Sequence, residues 1–212
     1  MAQPRTADRR GRRAPWWGPP AVVAVMALLV AGWPFLASRL SDDRALPAGA
    51  VLRVGPGNGD QAWFTVGDGW TMSESETLPS LEYVLTRGDT ELSVAYLSLM
   101  SSDYADRLWD GLRRSARVSS SDARLGPPSP VIAVGGARGS IGDLAQGDER
   151  GTAAVYPAPD DSFAIRFVAL APSGADAGTD ADKDVVAGAD NDTDLASALE
   201  VIRSLVFTRP AS

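Results

Sequence analysis

The sequence predicts an α+β domain that follows one transmembrane helix. A single long apolar run, AVVAVMALLVAGWPFLA, covers residues 21–37. Several later segments alternate apolar and polar residues with the period of two that is typical of strands. Two further segments, 102–118 and 195–206, repeat apolar residues at the spacing of one helix face.

The apolar run is interpreted as a membrane anchor at residues 21–40. Its 17 residues are at the short end of the ~17–25 usual for a membrane helix. Five arginines and Asp8 give residues 1–20 a net charge of +4. This arginine excess predicts a cytoplasmic tail, a single-pass anchor in the cell membrane and an extracytoplasmic C-terminal domain. A cleaved signal peptide with a small-residue site at 48–50, and a buried helix, are the alternatives.

Composition excludes several kinds of chemistry. The chain contains neither Cys nor His, so disulfides, thiolate catalysis and a Ser-His-acid triad are excluded. The whole chain carries −7, which leaves −11 on residues 21–212 and argues against nucleic acid as a partner. We therefore predict a protein that is not an enzyme, with no catalytic, cofactor-binding or metal-binding residues and no cofactor.

The first part of the domain is predicted to consist of strands. Residues 41–60, rich in Gly and Pro, are interpreted as a linker, and the domain is predicted at 61–207. Residues 62–66 form the first strand, and 81–86 and 91–96 form a hairpin around Arg87-Gly88-Asp89. These three residues match an integrin-binding tripeptide, but a turn explains them.

The clearest helix is predicted at 102–118. Ser102 or Asp103 caps it, and Leu108 and Leu112 fall on one face. Its C-terminal arginines complement the helix dipole, and Arg114 is placed to pair with Asp110 at i,i+4. An anion site is the alternative explanation of these arginines.

Three or four strands and a closing helix are predicted after Pro130. The strands cover 131–134, 137–145, 151–156 and 163–171, with the last one central because both its faces are apolar. Residues 175–194 are interpreted as a disordered acidic insertion. The start of a calcium loop at 190–194 is not completed, because Leu195 and Val201 replace the required glycine and acid. The closing helix buries Leu195, Leu199, Ile202 and Leu205.

Three tryptophans of the domain are candidates for stacking a sugar or a base. Trp63 and Trp70 begin strand segments, and Trp109 lies on the predicted helix. Core packing explains each of them better than a ligand does.

Two stretches resemble a known family. Phe64-Thr65-Val66 with Gly69-Trp70, and the closing residues 202–207 (IRSLVF), resemble PsbP/Mog1-like α/β/α sandwich domains, which occur in many membrane-anchored actinobacterial proteins. The resemblance implies an antiparallel sheet sandwiched by helices and no catalytic motif. The acidic insertion before the last helix departs from the family pattern.

Function is predicted only as a class. We expect a membrane-anchored, non-catalytic extracytoplasmic domain that binds a partner protein or small ligand, or assists envelope assembly. One alternative is a carboxylate-based cell-envelope hydrolase. Another is a calcium-responsive module that uses the aspartates of residues 176–194.

Overall fold

Strands are the main secondary structure of the described chain. The computed structural model describes residues 43–57, 60–78, 80–99, 107–173 and 184–207, with side chains from residue 192 onward in the last range. The helices are α1 (Leu108–Ser119) and α2 (Asp184–Arg203). The strands are β1 (Asp43–Ala45), β2 (Ala50–Val54), β3 (Ala62–Val66), β4 (Thr71–Ser73), β5 (Glu82–Arg87), β6 (Thr90–Ser98), β7 (Arg124–Leu125), β8 (Ser129–Ile132), β9 (Arg138–Gln146), β10 (Glu149–Pro157), β11 (Phe163–Pro172) and β12 (Val206–Phe207).

These strands form two antiparallel sheets. The larger sheet has the order β1-β4-β5-β6-β11-β10-β9-β7, with β8 also paired to β9. The smaller sheet has the order β12-β3-β2 and joins both ends of the described chain. Strand β11 lies between β6 and β10, so its predicted central position is confirmed.

Tight turns set the register of the hairpins, as predicted. Arg87 pairs with Thr90 across β5 and β6, and Gly88 takes a φ of 55°, a left-handed conformation that favours glycine. Gly136, with a φ of 80°, turns the chain between β8 and β9. The predicted strands on either side of both turns are confirmed.

Two hydrophobic cores lie on opposite faces of the larger sheet. On the α2 side, Ile202 and Leu205 pack with Phe167 of the larger sheet and Phe64 of the smaller sheet in one core. On the α1 side, Trp109 and Leu112 pack against a smaller group of buried residues: Leu125, Leu144, Ala153, Val155 and Ala164. Alternate residues of the same strands therefore supply two separate cores.

The predicted fold class, an antiparallel sheet sandwiched by helices, is wrong. Strands predominate, and only two helices lie in the described ranges. The α2 side is shared with the three-stranded sheet, and the other side carries one helix of 12 residues. The prediction failed because β3 pairs with β2 and β12 in a separate sheet, instead of joining the large one.

Three boundaries also differ from the predictions. The predicted linker at 41–60 contains β1 and β2, which pair with β4 and β3. The predicted disordered insertion at 175–194 is helical from Asp184 onward. The closing helix therefore begins earlier than residue 195, and it ends at Arg203.

The first helix is described from Leu108 to Ser119. Residues 102–106, with the proposed caps Ser102 and Asp103, lie outside the described residues, and the side chain of Arg107 makes no capping hydrogen bond. The predicted tail at 1–20 and anchor at 21–40 also lie outside them. Neither described helix is long and apolar enough to cross a membrane.

Candidate functional site

Helix α1 is held against the large sheet by a tryptophan. Trp109 is buried, and its Nε1 donates a hydrogen bond to the Gly126 carbonyl oxygen at 3.2 Å. A Cβ at Gly142 would lie 2.9 Å from the Trp109 ring, so the absence of a side chain there lets the ring approach strand β9. Leu112, one turn further on, is buried on the same face.

A cleft of about 520 Å³ lies beside this helix. That volume is within the ~300–1,000 Å³ typical of small-molecule sites. The cleft is lined by apolar residues (Leu97, Leu99, Leu108, Leu112 and Val155), by three arginines (Arg107, Arg114 and Arg166), and by Gly111 and Ser115.

A second cavity continues from the cleft along α1. Its volume is about 170 Å³, and Leu112, Ser115 and Arg166 line both spaces. It extends to Ser119 and Gln146. An elongated ligand therefore has apolar and polar surface available along one helix.

Arg166 is the most unusual residue of this cleft. Its Nη2 lies 3.4 Å from Glu82 Oε1, and that same oxygen accepts a hydrogen bond from Ser93 Oγ at 3.0 Å. The Nε of Arg166 is buried and has no hydrogen-bond partner among the described residues. A buried donor without a partner costs ~1–3 kcal/mol, so the hydrogen bonds of this guanidinium are only partly satisfied within the described residues.

The exposed surface of α1 is also basic. Four arginines surround Asp110 in a shallow depression: Arg107, Arg113, Arg114 and Arg117. Arg113 Nη1 lies 3.0 Å from Asp110 Oδ1, whereas Arg114 Nε donates to the Asp110 carbonyl oxygen at 3.3 Å. The predicted ion pair between Asp110 and Arg114 is therefore wrong, because Arg113 at i+3 takes the carboxylate.

Carboxylates lie elsewhere on the sheet. No Asp or Glu is among the described residues that line the cleft. Asp148 lies in the turn before β10, and Glu149 is the first residue of that strand. The pKa of Glu91 is raised by burial and by the nearby charges of Glu76 and Glu149. The described ranges contain no group of three or more acids placed to hold a metal ion.

Residues 190–194 do not form a loop. Their backbone is part of helix α2, so the calcium-binding loop that the sequence leaves incomplete is not formed there. Asp194 Oδ1 instead pairs with Arg87 Nε at 2.9 Å. Residues 176–180 lie outside the described ranges.

The same ion pair explains the Arg-Gly-Asp tripeptide. Arg87 also donates from Nη1 to Ser197 Oγ at 2.5 Å, and Trp70 Nε1 donates to that oxygen at 3.1 Å. A Cβ at Gly88 would meet the Asp194 carboxylate. The hairpin thus uses its arginine and glycine to hold α2.

Two of the three candidate tryptophans are buried as predicted. Trp70 is 1% and Trp109 is 7% exposed, but Trp63 is 37% exposed, so core packing was the wrong explanation for it. Trp63 faces outward from the small sheet, where the Arg53 guanidinium lies 5.8 Å from its ring centroid.

Sequence reasoning missed Arg166 as a site residue. The available signal was one arginine in a strand that is otherwise apolar on both faces. The sequence did identify the arginines of α1, but it could not show that Arg107 and Arg114 lie near Arg166, which is on a strand far along the chain.

Comparison with known proteins gives a structural likeness. No protein-family model and no curated sequence matches the chain. The crystal structure of the Saccharomyces cerevisiae Ran-binding protein Mog1p aligns with a TM-score of 0.48 and 11% identity, over 76% of this chain and 97% of that chain. A point mutant of protein Mog1 aligns with a TM-score of 0.46 and 10% identity, over 75% and 96%.

Both alignments have TM-scores below 0.5 and identities of 10–11%. The comparisons give no support for membrane anchoring or for an actinobacterial origin.

Proposed function

We propose that this domain is a non-catalytic binding protein and that the cleft beside α1 holds its ligand. The observation that carries the proposal is the lining of the cleft, which combines five apolar side chains with three arginines. Largely apolar clefts with a few polar groups are the usual form of small-molecule sites. The concave shape favours a small ligand over a flat protein surface.

The lining also argues against the hydrolase alternative. Hydrolysis by carboxylates alone needs an acid and a second carboxylate that face one substrate bond. Arginines hold anions and stabilise charge, but their guanidinium groups stay protonated and do not act as acid–base pairs. The described residues of this cleft therefore favour binding without turnover.

Gly111 offers a direct test of the cleft. A Cβ at this position has no heavy atom within 4 Å, and Gly111 lines the cleft. Gly111→Leu should therefore fill the space without a backbone clash. Gly111→Ala is the matched control, because both changes improve helix propensity by a similar ~1 kcal/mol relative to glycine.

The measurement is the fluorescence of Nile red, an uncharged apolar dye, added to the full chain and to both variants. We expect the parent and Gly111→Ala to bind the dye in the same way, and Gly111→Leu to lose the saturable component. Thermal melts of all three proteins check folding. Saturable binding that survives in Gly111→Leu would show that the ligand site lies elsewhere.

We also propose that residues 21–40 anchor the chain in the cell membrane, with residues 1–20 in the cytoplasm and the domain outside. The apolar run and the five preceding arginines support this orientation. A reporter that is active only outside the cytoplasm, fused after Phe207, should give a signal. A signal only from a cytoplasmic reporter would show that the orientation is reversed or that residues 21–40 are not an anchor.

A further inference from the structure

We infer that the cleft binds an anionic amphiphile, with its charged head at Arg166 and its apolar tail against the leucines of β6 and α1. This rests on the proposed function, because it names the ligand class for the same cleft. Three observations carry it: the charge of the lining, the long contact between Arg166 and Glu82, and the position of the apolar residues.

The charge of the lining is opposite to that of the chain. Residues 21–212 carry a net charge of −11, because the whole chain carries −7 and residues 1–20 carry +4. Among the described lining residues, however, Arg107, Arg114 and Arg166 are charged and no acid is present. A local positive site on an acidic protein selects anions over cations at short range.

Arg166 is placed to bind the head group. It is fixed on central strand β11, where it pairs with Ala95 of β6 and Val155 of β10. Its separation of 3.4 Å from Glu82 is longer than the ~2.7–2.9 Å of a strong charge-assisted hydrogen bond. Because a guanidinium has five N–H donors and this contact is long, Arg166 retains donors on its Nη atoms for a carboxylate, sulfonate or phosphate.

The apolar residues define the place of the tail. Leu97 and Leu99 lie at and beyond the end of β6, and Leu108 begins α1. All three line the larger cavity but not the smaller one, whereas Arg166 lines both. The tail is therefore assigned to the larger cavity, with the head at its junction with the smaller cavity.

The test compares ligands that share a tail or a charge. The full chain is held in a non-ionic amphipathic polymer, with the polymer alone as blank, and is titrated calorimetrically with decanoate, decyl phosphate, decanol and acetate. We expect either or both of the decyl anions to bind at least 10-fold more tightly than decanol and acetate. The anion that binds more tightly, decanoate or decyl phosphate, shows whether the natural ligand is a fatty acid or a phosphate-bearing lipid.

Tail length gives a second measurement on the unmodified chain. Each buried methylene contributes about 0.8 kcal/mol, which corresponds to about fourfold in affinity. Octanoate should therefore bind about 15-fold more weakly than decanoate if both terminal methylenes are buried. An affinity that does not depend on tail length would overturn the assignment of the leucines to the tail.

Substitution of Arg166 tests the head group. Arg166→Gln should weaken binding of the decyl anions at least 10-fold and leave decanol unaffected. Arg113→Gln is the control, because Arg113 lies on α1 without lining either cavity, and it should bind like the parent. Thermal melts of both variants check folding, and the ligand comparison on the parent stands even if Arg166→Gln does not fold.

The outcomes separate this inference from the proposed function. If decanol binds as tightly as decanoate and Gly111→Leu blocks both, the cleft is a binding site, but the inferred ligand class, an anionic amphiphile, is wrong. If none of the four ligands binds, the inference is overturned, and the Nile red comparison then decides the proposed function independently.

Discussion

The two sides of the large sheet differ in how completely they are packed. On the α2 side, Phe64, Tyr156, Phe167, Ile202 and Leu205 are at most 1% exposed and belong to one continuous core. On the α1 side, the core is smaller and two adjoining cavities remain. The difference teaches that one side of the sheet supplies most of the packed core, whereas the other leaves the space that we propose as the binding site.

Strand β11 shows how a single segment serves both sides. Phe163, Ile165 and Phe167 are fully or almost fully buried on the α2 side, while Ala164, Arg166 and the half-buried Val168 face α1. Because successive side chains point to opposite faces, large apolar residues alternate with smaller or charged ones. The open cleft is therefore encoded in the same ten residues as the core.

Matched leucine truncations should give the largest difference in the free energy of unfolding between the two sides of the sheet. Leu205→Ala, on the α2 side, should lower the free energy of unfolding by about 3 kcal/mol, and Leu112→Ala, beside the cleft, by about 1–2 kcal/mol. Solvent can enter the space left at Leu112, so no enclosed cavity forms there. Urea denaturation measures both losses, and equal losses would contradict the comparison.

Matched serine substitutions compare the polar contacts of the two helices. Ser197→Ala removes the acceptor of buried Trp70 Nε1 and of Arg87, which should cost ~1–3 kcal/mol. Ser119→Ala, in α1, removes an exposed bond to the Ser115 carbonyl oxygen and should change stability by less than ~0.5 kcal/mol. Thermal unfolding of both variants checks this, and a similar loss in each would show that the Ser197 network adds little.

Tyr156→Phe should change stability little at neutral pH. The Tyr156 hydroxyl on the α2 side is buried without a partner among the described residues, so its removal should alter the free energy of unfolding by less than ~1 kcal/mol. A larger loss would reveal a hydrogen bond to this group, with buried water as one source.

The same variant has a distinct alkaline signature. Burial raises the pKa of Tyr156 from 10.0 to about 12, so the unfolded chain loses this proton at lower pH than the folded protein. Stability is therefore fully present below pH 10 and falls as the pH rises toward about 12, as linkage requires. Urea midpoints measured across this window should fall less in Tyr156→Phe than in the parent.

Glu91→Gln, on the α1 side of the sheet, should have the smallest effect on stability. Burial, then Glu76 and Glu149, raise the pKa of Glu91, so the folded protein favours the protonated form. Stability from this group is present below its unfolded pKa and is lost as the pH rises through the raised folded value. The variant should have a slightly higher urea midpoint at pH 7 and a smaller advantage at pH 4. Glu200→Gln controls for loss of one exposed charge.

Local patterns predicted the local parts of this fold. The hairpins at Gly88 and Gly136, the central strand β11, helix α1 and the C-terminal part of helix α2 follow from periodicity and turn residues. The failures were non-local. Strand β3 finds its partners in β2 and in the distant β12, and no short-range pattern encodes that choice. The exposure of Trp63 follows from the same unpredicted sheet.

The cleft was less predictable than the fold. Its arginines were visible in the sequence, but a helix dipole and i,i+4 pairs explained those of α1 without a ligand. Only the approach of α1 to strands β6, β10 and β11 brings Arg107 and Arg114 beside Arg166. The acidic composition of residues 184–194 also suggested disorder, although Asp194 anchors the helix through Arg87.

The small sheet has a consequence for the time at which this domain can fold during synthesis. Thr65 N donates to Ser204 Oγ at 2.8 Å, and Trp63 pairs with Val206 in the adjoining strands. Contacts between segments so far apart form slowly, because the chain entropy is lost before the contacts can compensate for it. Strand β3 can pair with β2 early, but its other edge stays open until β12 has left the ribosome, and until then the apolar residues of the α2 side are without part of their cover.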